Sequence, residues 1–99
     1  MSATISIKSS HATDDILNLV KSAIEAEITR LELGLEMAEK RLSPFEKKYN
    51  VASEYFISHL KAEDLDGGDA DYVSWAGEYK LKQRLEKKLQ QLRELQYEH

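Results

Sequence analysis

The chain has no cysteine, and only one of its 99 residues is proline and four are glycine. Without cysteine it has neither disulfides nor thiolate metal sites nor a cysteine nucleophile. So few turn-forming residues exclude a β-sandwich or barrel, which needs a turn about every ten residues. No apolar run approaches the roughly 18 residues that span a bilayer, so we expect no membrane association. The opening residues resemble no secretory signal, and we therefore expect a cytoplasmic protein.

Charged side chains make up 32% of the chain and hydrophobic ones 41%, a balance typical of long solvated helices. The net charge is −4, and the negative charge is concentrated in residues 54–71, where six acids accompany the single base Lys61. Five of these acids form what we call the acidic island: Glu63, Asp64, Asp66, Asp69 and Asp71. Because an acidic centre repels phosphates, we do not expect a nucleic-acid partner.

Residues 1–13 are rich in serine and threonine and show no sustained periodicity, which predicts a disordered tail before a single helical domain over residues 14–99. Thr13, Asp14 and Asp15 are typical of a helix start, since each can accept a hydrogen bond from a free backbone N–H. From there to Tyr49, apolar residues recur every three or four positions, which predicts one long helix.

The apolar seam of this helix has ten positions, which is more than one partner helix can cover. A two-helix hairpin of this size also buries little apolar area. We therefore predict a homodimer. Its self-association residues are those of the first part of the seam: Leu17, Val20, Ile24, Ile28, Leu31 and Leu35.

Ser43, Pro44 and Glu46 form a capping-box pattern inside the long helix. The spacing of apolar residues at every third or fourth position continues through this pattern, so a kink near Ser43 is favoured over a full break of the helix. Asn50 suits a left-handed residue at the end of this helix.

The rest of the chain predicts a short helix of about ten residues from Ser53, a loop around Gly67 and Gly68, and a long last helix capped by Asp69. Two long helices joined by a short one favour an antiparallel hairpin. We therefore predict an all-α fold that dimerises as a helical bundle or coiled coil. The basic stretch Lys80–Lys88 is interpreted as a solvated face, because Glu78 and Glu86 interleave with it.

Catalytic and metal-binding chemistry is not indicated. The spacing of acids after Asp64 fails the EF-hand register, and the three histidines lie far apart in the sequence. No nucleophile motif or phosphate-cradling loop is present. We therefore predict a protein that is not an enzyme and has no cofactor and no metal.

Three aromatic residues share one face of the last helix: Tyr72, Trp75 and Tyr79. Packing in the core is the first interpretation, and an anchor for a partner is the alternative. Because the acidic island adjoins these aromatics, we predict one partner-binding site made of the island together with Tyr72 and Tyr79, and we expect Trp75 to be core.

Three short elements carry a resemblance: FEKKY at 45–49, GDADY at 68–72 and WAGEY at 75–79. Their order and spacing over residues 20–95 resemble those of short acidic prokaryotic proteins that look like the antitoxin partners of two-gene toxin–antitoxin modules. The resemblance implies a helical protein that binds and neutralises a cognate toxin, which we expect to be basic. Two alternatives remain: a coiled-coil scaffold or adaptor without a toxin, and a small regulator that contacts nucleic acid through its last helix.

Overall fold

The computed structural model describes the backbone of residues 13–97 and the side chains of residues 13–95. Within this range the chain forms three α-helices and one 3₁₀ turn and no strand: α1 at Thr13–Tyr49, α2 at Ser53–His59, the turn at Ala62–Asp64, and α3 at Gly68–Tyr97. The predicted all-α class is confirmed. Apart from Thr13, the predicted tail lies outside the described residues.

The two long helices pack against each other and run antiparallel. Ion pairs join them at three levels, with Glu32 bound to Arg93, Arg41 to Glu78, and Lys48 to Asp71. As the residue number rises along α1, it falls along α3, as an antiparallel hairpin requires. The result is an elongated molecule with extents of 62 × 23 × 18 Å.

The interior is divided into two clusters along the length of the hairpin. At the end formed by α2 and the turn lies the aromatic cluster, built around Phe56, Trp75 and Tyr79. Toward the other end lies the aliphatic cluster, in which Ile24, Ile28 and Leu31 of α1 pack with Leu89 of α3. The two clusters therefore occupy the interface between the facing sides of the long helices.

α1 passes through Pro44 as a single helix, so the full break is excluded. The predicted capping box is wrong, because the Glu46 carboxylate bonds Ser53, at the start of α2. A proline inside a helix costs about 3 kcal/mol relative to alanine. Burial of Leu42 before it and packing of Phe45 after it offset that cost.

The segments between the long helices differ in detail from the prediction. Asn50 has φ 56°, which confirms the left-handed residue after α1. α2 has seven residues instead of about ten, and the 3₁₀ turn follows it. α3 begins at Gly68, so Asp69 lies in its first turn and is not its cap.

Candidate protein-binding surface

Trp75 is the centre of the aromatic cluster, and its side chain is 0% exposed. Phe56 of α2 stacks on it with ring centroids 3.8 Å apart, and Phe45 and Tyr49 of α1 stack at 5.6 and 5.5 Å. The indole therefore contacts residues of both other helices. This confirms the interpretation of Trp75 as core.

A buried chain of hydrogen bonds fixes the indole. Trp75 Nε1 donates to the Ser53 hydroxyl at 2.8 Å, and that hydroxyl donates to Glu46 Oε2 at 2.7 Å. The same Glu46 oxygen accepts from the Ser53 backbone N–H at 3.1 Å. Since α2 has no capping side chain of its own, Glu46 satisfies its first free N–H from the neighbouring helix.

Asp71 joins α1, α3 and the loop between the turn and α3. Its Oδ2 accepts from Lys48 Nζ at 2.8 Å and from the Tyr49 hydroxyl at 2.6 Å. The Tyr49 hydroxyl in turn accepts from the Gly67 backbone N–H at 2.9 Å. A Cβ atom at Gly67 would overlap the Asp71 carboxylate, so any larger residue there would force that carboxylate to move.

The hydrogen bond from Lys48, followed by that from Tyr49, holds the pKa of Asp71 below its ordinary value. A lowered folded-state pKa contributes stability that is complete above the ordinary value of about 3.9 and is lost as the pH falls through the folded value. We therefore expect Asp71→Asn to melt at a lower temperature than wild type at pH 7, with the gap closing below about pH 4. Thermal melts from pH 7 to pH 2 measure this, and a gap of equal size at every pH would contradict it.

The acidic island divides into bonded and free carboxylates. Asp71 is bonded as described, and Asp64 Oδ2 accepts from the Lys61 backbone N–H at 2.8 Å, which closes the 3₁₀ turn. The other three acids are exposed and form no ion pair or side-chain hydrogen bond with any described residue: Glu63, Asp66 and Asp69. We call these three the free acidic surface.

The two tyrosines predicted to join this site point elsewhere. Tyr79 is 9% exposed and belongs to the aromatic cluster. Tyr72 is partly buried, with its ring set edge-on against Phe56. The structure therefore places both against the core and leaves the free acidic surface without a large aromatic anchor among the residues predicted for it.

Five of the six predicted self-association residues lie along the face of α1 that meets α3. Ile24, Ile28 and Leu31 are buried within the single chain, and Val20 and Leu35 pack against the same aliphatic cluster. Leu17 is partly buried near the start of α1. For the three buried residues, α3 already supplies the cover that a second copy was expected to provide.

The outer face of α3 is exposed, which agrees with the interpretation of the basic stretch Lys80–Lys88 as a solvated face; Gly77, just before this stretch, was not singled out. Gly77 lies there exposed in mid-helix, where glycine costs about 1 kcal/mol relative to alanine. Lys80, Arg84 and Lys87 lie beside it on the same exposed face of α3. Of the two acids that interleave with this stretch in the sequence, Glu78 pairs with Arg41 of α1. The signal in the sequence was the spacing of 3 and 4 from Gly77 to Lys87.

Neither long helix has an 18-residue stretch apolar enough to cross a membrane, over the range the structure describes. In that same range no three histidine, aspartate or glutamate side chains converge to hold one metal ion. Comparisons of the chain with protein-family models, with curated proteins and with solved structures found no match.

Proposed function

We propose that this protein is an antitoxin-like binding protein, which neutralises a basic toxin in the cytoplasm by covering it with the free acidic surface. The observation that carries the proposal is the division of the acidic island. Glu63, Asp66 and Asp69 are exposed and free of ion pairs with described residues, while Asp64 and Asp71 are used inside the chain. Free carboxylates steer a basic partner and set the orientation in which it docks.

The segment that carries these acids, residues 63–69, is held in a defined conformation. Backbone hydrogen bonds join Asp64 to Lys61, Leu65 to Ala62, and Gly68 to Leu65 at 3.0 to 3.1 Å. Leu65 is buried in the aromatic cluster and fixes the loop to the hairpin. A preorganised loop loses little conformational entropy on binding, so more of the interaction energy appears as affinity.

The resemblance of the elements at 45–49, 68–72 and 75–79 to antitoxin-type proteins supports the nature of the partner. The fold gives these elements a physical role: the first and third supply Phe45, Tyr49 and Trp75 to the aromatic cluster, and the second supplies Asp71. These elements therefore support the free acidic surface, and we propose that this surface itself contacts the toxin.

A structural coiled-coil scaffold is the second candidate. One observation favours it: Leu19, Leu33 and Met37 are exposed on α1. Spacings of 14 and 4 residues place them along one stripe of the helix, away from the seam that α3 covers. A scaffold would bury this stripe in another helix and would not need the free acidic surface.

We also propose that the protein self-associates, because a hairpin of this size has little interior and leaves apolar side chains exposed on both long helices. Formation of the homodimer does not require the toxin. Light scattering at micromolar concentration tests it, with twice the monomer mass as the expected result.

A growth experiment tests the antitoxin proposal. In the native genome, a neighbouring reading frame that encodes a small basic protein would be expressed alone and together with this protein. We expect growth arrest with the neighbour alone and normal growth with both. Growth arrest that persists when this protein is present at equal or higher level would contradict the proposal.

A further inference from the structure

Gly77 has no role inside the described part of the chain. A Cβ atom built there meets no atom within 4 Å, and its φ is not in the left-handed region. Gly34 differs, since a Cβ there would lie 3.5 Å from Leu85, where α1 and α3 approach each other. Because mid-helix glycine disfavours the helix, its presence on an outer face points to a close approach by something outside this chain.

The residues around Gly77 form a charged stripe with opposite signs at its two ends. Spacings of 3 and 4 residues place them on one face of α3. Toward the start of the helix lie Asp69 and Val73, the latter 70% exposed. Toward its end lie three exposed bases, none of them in an ion pair with a described residue: Lys80, Arg84 and Lys87.

We propose that a second copy of this chain docks on this stripe, with the two α3 helices antiparallel and crossing at Gly77. At about 1.5 Å per residue, Asp69 lies about 12 Å before Gly77 and Arg84 about 10 Å after it. A two-fold axis at Gly77 therefore sets Asp69 of each copy opposite Arg84 of the other.

The pairing of Asp69 with Arg84 is self-complementary, as an isologous two-fold interface requires. Glycine at the crossing lets the two backbones approach, as small residues do where helices pack closely, and the exposed Val73 side chains fill the space beside it. Nucleic acid would use only the basic half of the stripe and would bring its phosphates near Asp69. The second copy is the occupant that uses both halves.

This inference rests on the self-association proposed above and assigns it to α3. Because Asp69 belongs also to the free acidic surface, the second copy and a basic partner compete for it. Glu63 lies beyond the symmetric contact and remains available to the partner.

A charge-swap experiment tests the interface by sedimentation equilibrium. Asp69→Arg and Arg84→Asp each place like charges opposite each other twice, so each variant alone is expected to dimerise about tenfold or more weakly than wild type. In an equimolar mixture, a heterodimer of the two variants again sets opposite charges against each other at both contacts, and the mixture is expected to recover wild-type affinity. Glu25→Arg and Lys47→Asp, exposed changes of the same charge on α1, are the matched controls and leave dimerisation unchanged.

A second variant separates the fold from the interface. Gly77→Ala favours the helical conformation, so at concentrations where the protein is monomeric the variant should melt at a higher temperature than wild type. The added methyl group should weaken the dimer. A wild-type monomer at several hundred micromolar overturns both this inference and the proposed self-association. A wild-type dimer that tolerates both charge changes, or a mixture that does not recover, overturns only the α3 interface. A monomer that binds duplex DNA through Arg84 assigns the stripe to nucleic acid and also overturns it.

Discussion

Replacing Trp75 with alanine is expected to lower the free energy of unfolding by about 3–5 kcal/mol, the cost of deleting a large aromatic side chain from a packed core. The indole is fully buried and stacks on rings from α1 and α2. Its removal would leave a cavity in the aromatic cluster. Among the described residues, this is the only place where aromatic stacking joins all three helices. The substitution would also remove the donor that the Ser53 hydroxyl now accepts from.

Equilibrium denaturation of the free protein measures this loss. Tyr55→Ala is the matched control, because Tyr55 is an exposed aromatic on the short helix α2; its effect should stay within about 0.5 kcal/mol. Wild-type tryptophan emission should be blue-shifted before any partner is added. A red-shifted wild type whose Trp75→Ala variant unfolds like wild type would show that Trp75 is a surface anchor and would contradict the packing described above.

Most of the fold could be predicted because local signals and tertiary packing agree. The apolar seam of α1 predicted a helix from Thr13 to Tyr49, and Asn50 ended it as expected. The capping box predicted at Ser43 does not form, because the apolar packing along the whole of α1 outweighs the local sequence pattern. Leu42 and Phe45 pack on both sides of Pro44, and that packing carries the helix through.

The candidate surface could be predicted only as a stretch of acids. Sequence alone offers no reason to separate Asp71 from Asp69, two residues apart in the first turn of α3. Lys48 and Tyr49, more than twenty residues earlier, bond Asp71 and leave Asp69 free. Which carboxylates are available is therefore a property of the tertiary pairing of α1 with α3.

The seam of α1 is also covered differently from the prediction. Counting seam positions suggested more apolar surface than one helix covers, yet α3 buries Leu31 to 1% exposure in cooperation with Leu89. Leu19, Leu33 and Met37 lie beside or off the seam by their spacing, and they remain exposed on α1 after the hairpin closes. The stripe of α3 around Gly77 also remains exposed.

Charge reversal on the free acidic surface is expected to slow binding of the basic partner about tenfold at low salt. Glu63→Lys combined with Asp66→Lys changes the local charge by four units and leaves Asp69 in place. Both side chains are exposed and bond no described residue, so the fold should be unchanged. Steering by opposite charges weakens as salt screens them, and the variant should lose most of the salt dependence that wild type shows.

The most direct test is the association rate constant, measured by stopped flow with a small basic protein that a neighbouring reading frame of the native genome encodes. Wild type, the Glu63→Lys/Asp66→Lys variant and a Glu25→Lys/Glu39→Lys control are compared from low to high ionic strength. The control carries the same change of net charge on exposed positions of α1. We predict a rate for wild type that falls steeply with salt, a slow and nearly salt-independent rate for the variant, and a control within about twofold of wild type. Equal rates for wild type and the variant at every ionic strength would contradict the proposal that the free acidic surface binds the partner.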